Sequence, residues 1–241
     1  MIGFLSDVGM IRSLNEDFVC YHEGENFNVY VVADGMGGHN AGEVASKMAA
    51  EGIVDFVKKY YSKDGCMNIL EDAISYVNLK IYKYSLKDSS LNGMGTTVTA
   101  CLELSDKVIV ANVGDSSCFG ISGNKIVKIT KDHSLVQELV DLGTITEDEA
   151  ANHPKKNIIT RAVGTSDNVD VDIFIVDKDT YDIYLLCSDG LTNEITKKDI
   201  VSVINENRDF DNICNKLVNI AKYKGGKDNI TVLLFGGEVV W

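Results

Sequence analysis

The chain has 241 residues, of which 45% are hydrophobic and 24% charged, with a formal net charge of −13. A chain of that length buries a core without staples. So acidic a balance disfavours nucleic acid and anionic membrane as partners, since both want clustered Lys and Arg. One proline, no Ser/Gly/Pro-rich linker and no apolar stretch near the ~20 residues of a membrane span point to a single domain over residues 1–241, read as cytoplasmic.

In chain order, "MIGFLSDVGM" places Asp7 where a signal peptide would need its apolar core. Residues 27–33 (FNVYVVA) read as a strand. Residues 43–60 read as a helix, because Val44, Ala45, Met48, Ala49, Ile53, Phe56, Val57 and Tyr60 recur at three-and-four spacing. A second helix carries Leu70, Ile74, Val77, Ile81 and Tyr84 on one stripe. The period then changes. TTVTACLEL, KVIVANVGDS, SCFGISG and KIVKIT are β-branched and punctuated by Ser-Asp and Gly-Asn turns, which predicts antiparallel strands. Residues 134–151 return to helical character with a break at Gly143. VDIFIVD and YDIYLLCSD read as strands, 197–206 and 211–223 as helices, and NITVLLFGG as a last strand. Paired helices and hairpin-like strand runs favour α+β layers over a doubly wound parallel sheet.

Six cysteines form no C-x-x-C pair and no zinc-spaced Cys/His cluster, which fits a reduced chain. Cys101, Cys118 and Cys187 lie inside apolar runs, where cysteine is usually a small buried hydrophobe.

One pattern recurs. An apolar strand ends in Asp followed by Gly or Ser at Asp34-Gly35, Asp115-Ser116 and Asp189-Gly190, and its mirror image occurs at Asp228-Asn229 before ITVLLF. Turn chemistry alone explains any one of these. Four together, if their strand ends gather at one edge, place carboxylates where they need counter-charge. Oxygen donors without His or Cys suit magnesium, manganese or calcium. A glycine after Asp exposes backbone carbonyl as a further donor. Upstream, RSLNED sets Arg12 near Glu16 and Asp17. Such an arginine is either a surface ion-pair partner or, beside a metal site, a bidentate grip for phosphate.

The stretches SDVGMIRSLNED (6–17), VVADGMGGHNAGEVAS (31–46), GMGTTVTA (93–100), ANVGDSSCF (111–119), ITKDHSLVQELVDLG (129–143), NIITRAVGT (157–165), LLCSDGLTNEI (185–195) and GGKDNITVLL (225–234) resemble, in order, the metal-dependent type-2C Ser/Thr protein phosphatases of the compact bacterial kind. The resemblance implies a four-layer α-β-β-α sandwich of two antiparallel sheets with a metal centre at one edge. It implies two manganese or magnesium ions and a third, weaker one. Asp34 would bridge two ions, and the Gly35 carbonyl would bind one of them. Asp189 and Asp228 would bind the other, and Asp115 would help Asp189 hold the third. Glu16 and Asp17 would hold water at the ions. A hydroxide between the ions would attack phosphorus in line, with no phospho-enzyme, while Arg12 orients the phosphate. The substrates implied are phosphoserine and phosphothreonine proteins, with a Ser/Thr kinase as counterpart and a monomer as the default state.

Two departures stand out. Many eukaryotic relatives carry His directly after Asp-Gly, where this chain has Met36. His39 then either stands in as general acid or caps the next helix, and a metal-bound water is the alternative proton source. The family's usual Arg in the GDSR stretch is Ser117 here. His133 in KDHS reads as structural. The segment around 135–160, with His153-Pro154, matches a flap beside the active site. Two other classes compete: a phosphoprotein-binding module that has lost catalysis, and an acidic calcium-binding structural protein. The presence of Arg12, Asp34, Asp189 and Asp228 speaks against the first, and Arg12 with the GTT and DHS segments against the second.

Overall fold

The computed structural model describes residues 1–37, 41–62 and 65–236. The first half runs β1 (Ile2–Asp7), β2 (Asp17–Glu23), β3 (Asn28–Met36), α1 (Ala41–Tyr60), α2 (Ile69–Ser85), β4 (Gly95–Thr96), β5 (Val98–Glu103) and β6 (Lys107–Val113). The second half runs β7 (Ser117–Ser122), β8 (Lys125–Lys128), α3 (Leu135–Asp141), α4 (Glu147–Ala151), β9 (Asp172–Asp177), β10 (Ile183–Cys187), α5 (Asp189–Thr192), α6 (Lys197–Asn205), α7 (Phe210–Lys224) and β11 (Ile230–Gly236).

One sheet has the order β1-β11-β10-β7-β8, the other β2-β3-β5-β6-β9 with β4 added to β3. Every pairing is antiparallel. Alternation along the strands sets the layers. On β3, Val29, Val31 and Ala33 pack against α1 and α2, joined by Ala45, Ala49, Ile53, Leu70, Ile74 and Val77. The intervening Tyr30 and Val32 face the other sheet, where they meet Cys118, Tyr184, Leu186, Leu233 and Phe235. On that sheet, Leu185, Cys187, Val232 and Leu234 face away, toward Leu191, Ile213, Leu217 and Val218 of the second helix layer. The product is α-β-β-α, as the resemblance implied. Strands buried on both faces are why the central runs read as continuous rather than alternating apolar sequence.

The middle layer is anchored by aromatic stacking. The Phe235 ring lies 4.1 Å from Tyr30 and 5.0 Å from Tyr184, near parallel to both. Cys101 and Cys118 meet across the two sheets with 3.7 Å between sulfurs, as buried free thiols. The predicted helical stretch 134–151 is two helices, α3 and α4, with Gly143 between them at a φ of +67° that favours glycine. Thr146 and Glu149 form a capping box that starts α4. The strand expected at 27–33 runs on to Met36, because Gly35 and Met36 pair with Thr96 and Gly95. No helix among the described residues is long and apolar enough to cross a membrane.

Candidate metal centre

Tyr30, Val32 and Asp34 fall on the same face of β3, so Asp34 ends the inter-sheet layer at its open edge. Its main chain is fixed on both sides. The Asp34 N–H donates to Thr97 Oγ1 (3.0 Å), and its carbonyl accepts from Thr97 N–H (2.8 Å) and Thr96 Oγ1 (2.9 Å). Thr97 Oγ1 in turn lies 2.8 Å from Ser116 Oγ. The Gly35 N–H donates to the Glu16 carbonyl (3.0 Å). A Cβ at Gly35 would collide with the carbonyls of Gly42 and Glu16, so only glycine lets these three segments meet.

Three other junctions open at the same end. Asp115 stands in the bend between β6 and β7, Asp189 begins α5 directly after β10, and Asp228 precedes β11. A cleft of about 260 Å³ is lined by Arg12, Glu16, Asp34, Gly35, Asp115, Asp189 and Asp228, together with Asn157 and Asn229. Asp17 is not on its wall. It lies buried beneath, opposite Asp34 in the β2–β3 register, with Oδ2 accepting from Ser188 Oγ at 2.7 Å. Its Oδ1 is buried without a hydrogen-bond partner. His39 lies outside the described residues.

Arg12 is half exposed, and its guanidinium donates to Asp228 Oδ2 at 2.8 Å. The loop that carries it is stapled by Asn229, whose amide donates to the carbonyls of Val8 (3.0 Å) and Leu14 (2.9 Å). Asn229 Oδ1 accepts from the Glu16 N–H at 2.8 Å. The Asn193 amide donates to Asp189 Oδ2 at 2.9 Å.

The carboxylates are short of positive charge. Burial, then the charges of Asp17, Asp189, Asp115 and Asp228, push the Asp34 carboxyl well above its ordinary range. Burial and the neighbouring charges of Asp189 and Asp228 push Asp17 up to about 7. Burial and the charges of Asp189 and Asp132 push Asp115 up to about 7. Burial and Asp228 push Asp189 up to about 6. Burial also raises Glu16. Crowded carboxylates of this kind hold hard divalent cations, for which an all-oxygen donor set with an open carbonyl is the right chemistry. The orphaned Asp17 Oδ1 points to the same conclusion. Among the described residues no three acidic, His or Cys side chains close into a ready-made cage. The set therefore fits ions that complete their shells with backbone carbonyl and water.

His133 is elsewhere. Its Nδ1 accepts from the Gly114 N–H (3.0 Å), which leaves the proton on Nε2, 3.1 Å from Asp172 Oδ2. Arg161 also donates to Asp172, at 2.7 Å. The structural reading of His133 fits this geometry. Ser117 has a buried hydroxyl with no hydrogen-bond partner. Thr97, Ser188 and Asn229 escaped the sequence reading as supports of the centre. Their only signals were the GTT stretch and the positions of Ser188 and Asn229 beside Asp189 and Asp228.

A protein-family model described as protein phosphatase 2C matches residues 12–234. The chain is 41% identical over 235 residues to the serine/threonine phosphatase stp of Listeria welshimeri, spanning 96% of this chain and 93% of that protein. The crystal structure of serine/threonine phosphatase Stp1 from Staphylococcus aureus superposes with a TM-score of 0.93 at 36% identity, covering 98% of this chain and 94% of that one. The catalytic domain of the serine threonine protein phosphatase PstP, solved with two manganese ions, superposes with a TM-score of 0.85 at 32% identity, covering 97% and 96%.

Proposed function

The chain belongs to the protein phosphatase 2C family, and from that premise we propose that the acidic cleft is its catalytic centre, with the roles of individual residues set out below. The protein is a metal-dependent serine/threonine protein phosphatase acting on phosphorylated proteins. The observation that carries the assignment of the centre is the convergence of Asp34, Asp115, Asp189 and Asp228, from four separate strand junctions, on one cleft with Arg12.

Two manganese or magnesium ions bound there would supply the charge that acidifies water and neutralises the phosphate. Asp34, Asp189, Asp228 and the Gly35 carbonyl would hold them, and Asp115 with Asp189 would hold a third, weaker one. Glu16 at the wall and Asp17 beneath it would hold water at the ions. Thr96 and Thr97 fix the Asp34 main chain, so the carboxylate is aimed before substrate arrives. Arg12, at the mouth, presents its planar fork to the phosphate and offsets the charge that grows on it during in-line displacement. The departing seryl or threonyl oxygen takes a proton from His39 or from water in the cleft, whose described lining contains no histidine.

The whole chain is read as one catalytic domain that works as a monomer in the cytoplasm, reversing the products of a Ser/Thr kinase. The catalytically silent alternative finds no support. None of the expected acids is missing, and the relatives are named phosphatases.

The test is hydrolysis of p-nitrophenyl phosphate and a phosphothreonine peptide with manganese, with magnesium and with EDTA, for wild type and Asp189→Ala. Turnover lost both to EDTA and to the substitution supports the centre. Turnover that persists in either case removes it.

A further inference from the structure

A larger cleft, of about 510 Å³, opens beside the acidic one and shares Asp115, Asn157 and Asp189 with it. It runs between α3 and α4 on one side and β8, α5 and the start of α6 on the other. Its size is that of a ligand pocket.

Its charges divide into committed and uncommitted groups. Lys128 is bound to both oxygens of Asp132, at 2.6 Å each. Asp115 and Asp189 belong to the acidic centre. Lys156 and Lys197 remain, and neither Nζ makes a hydrogen bond or ion pair with a described residue. Lys197 Nζ stands 6.0 Å over the Phe119 ring. Lys156 is half-buried, and its charge reaches Asp189, so it stands where the two clefts join. Against these two cations the lining offers one further carboxylate, the exposed Glu147. The lining as a whole holds three lysines against four carboxylates, so Lys156 and Lys197 outweigh Glu147 once cations offset Asp115 and Asp189.

We propose that this second cleft receives the segment of the phosphoprotein flanking the scissile phosphate, and that Lys156 and Lys197 select flanks bearing an anionic side chain. The inference rests on the acidic cleft being the phosphatase centre. The shared chemistry is an anion, which a glutamate, an aspartate or a second phosphorylated residue provides. Lys156 at the junction meets the nearer flank and Lys197 at the head of α6 the farther one.

The experiment measures kcat/KM for three phosphothreonine peptides that differ only in their flanks: alanine, glutamate, or a non-hydrolysable phosphonate. Wild type, Lys156→Gln, Lys197→Gln and the double variant are compared with manganese present, and p-nitrophenyl phosphate is run alongside. Wild type is expected to prefer the anionic flanks over alanine by about fivefold, with the preference shrinking as salt rises. Each single variant lowers that ratio and the double variant brings it near one. Because selectivity is a ratio within one enzyme, a general loss of turnover cancels. Preference for the phosphonate alone assigns the cleft to multiply phosphorylated segments, and equal preference for both assigns it to acidic segments. Turnover without flank selectivity in wild type, or selectivity that survives in the double variant, overturns this inference alone. A wild type that hydrolyses none of the substrates overturns it together with the reading of the centre.

Discussion

Asp17 and Asp34 stand directly opposite one another on β2 and β3. Like charges at that register repel, and here Asp17 is buried while Asp34 is half-buried at the cleft wall. The pair is therefore a liability in the metal-free protein and an asset once cations bind. Asp17 and Asp115, each at about 7, and Asp189, at about 6, keep protons in the fold that the unfolded chain releases near 3.8. The folded state thus binds more protons between about pH 4 and 7, so stability must fall as pH rises across that window. Asp7 and Asp172 do not mask this. Burial raises each, but the Lys222 and the Arg161 and His133 contacts more than offset it, so both are lowered and act at more acid pH. In EDTA, Tm is expected to drop by about 5 °C or more between pH 5 and 7.5. Millimolar manganese should flatten the slope. A metal-free Tm that is level or rising over that range would show that the acids do not strain the fold.

Arg12 is placed to act on substrate rather than on the fold. Its pair with Asp228 is half exposed, and exposed pairs contribute little stability. Arg12→Ala is expected to lower kcat/KM on a phosphothreonine peptide by about 10²-fold while leaving Tm in EDTA nearly unchanged. Arg12→Lys restores the charge but not the fork, and should recover only part of the loss. Paired kinetics and thermal melts decide it: a large fall in Tm would move Arg12 from substrate binding to structure.

Thr97 lines the cleft and supports the centre through the Asp34 main chain. Its hydroxyl accepts from the Asp34 N–H and is shared with Ser116, all under cover. Thr97→Val keeps the shape and deletes that link, leaving a buried N–H unsatisfied. The expected cost is about 1–3 kcal/mol in denaturant unfolding. Manganese affinity should weaken about 10-fold or more, as it does when outer supports of metal ligands are removed. Full affinity in Thr97→Val would mean that the β3–β4 pairing alone fixes Asp34.

The acids were legible because they repeat: an apolar run that stops at Asp-Gly or Asp-Ser is visible in one dimension, and its recurrence carries the argument. β1 and β2 were not legible. Both are edge strands, half-buried and carrying polar residues among the apolar ones, so neither the alternating nor the continuous pattern stands out. β1 also pairs with β11 from the opposite end of the chain, a partnership no local window contains. The same limit hid Ser188 and Asn229. A serine that donates to Asp17 and an asparagine that staples the Arg12 loop act across more than 170 residues of sequence. The resemblance implies one shared role for Glu16 and Asp17. Glu16, just before β2, lines the cleft wall, whereas Asp17, the first residue of β2, lies buried beneath it.

His133 offers the sharpest contrast between a structural and a catalytic histidine. It lines neither cleft, and its ring joins the Gly114 N–H to the Asp172–Arg161 pair. Gly114, the turn that presents Asp115, is held by His133 at both main-chain groups: its N–H donates to Nδ1 and its carbonyl accepts from the His133 N–H (2.9 Å). Removing the ring strands a buried N–H and frees Asp172 from one of its two partners. His133→Ala is therefore expected to cost about 1–3 kcal/mol of stability. Turnover should fall modestly, through Asp115, and the pH profile of kcat should keep its shape. A profile that loses its alkaline limb in the variant would instead make His133 the proton donor to the leaving oxygen. Its position outside both clefts, behind the Gly114 turn, predicts that this limb survives.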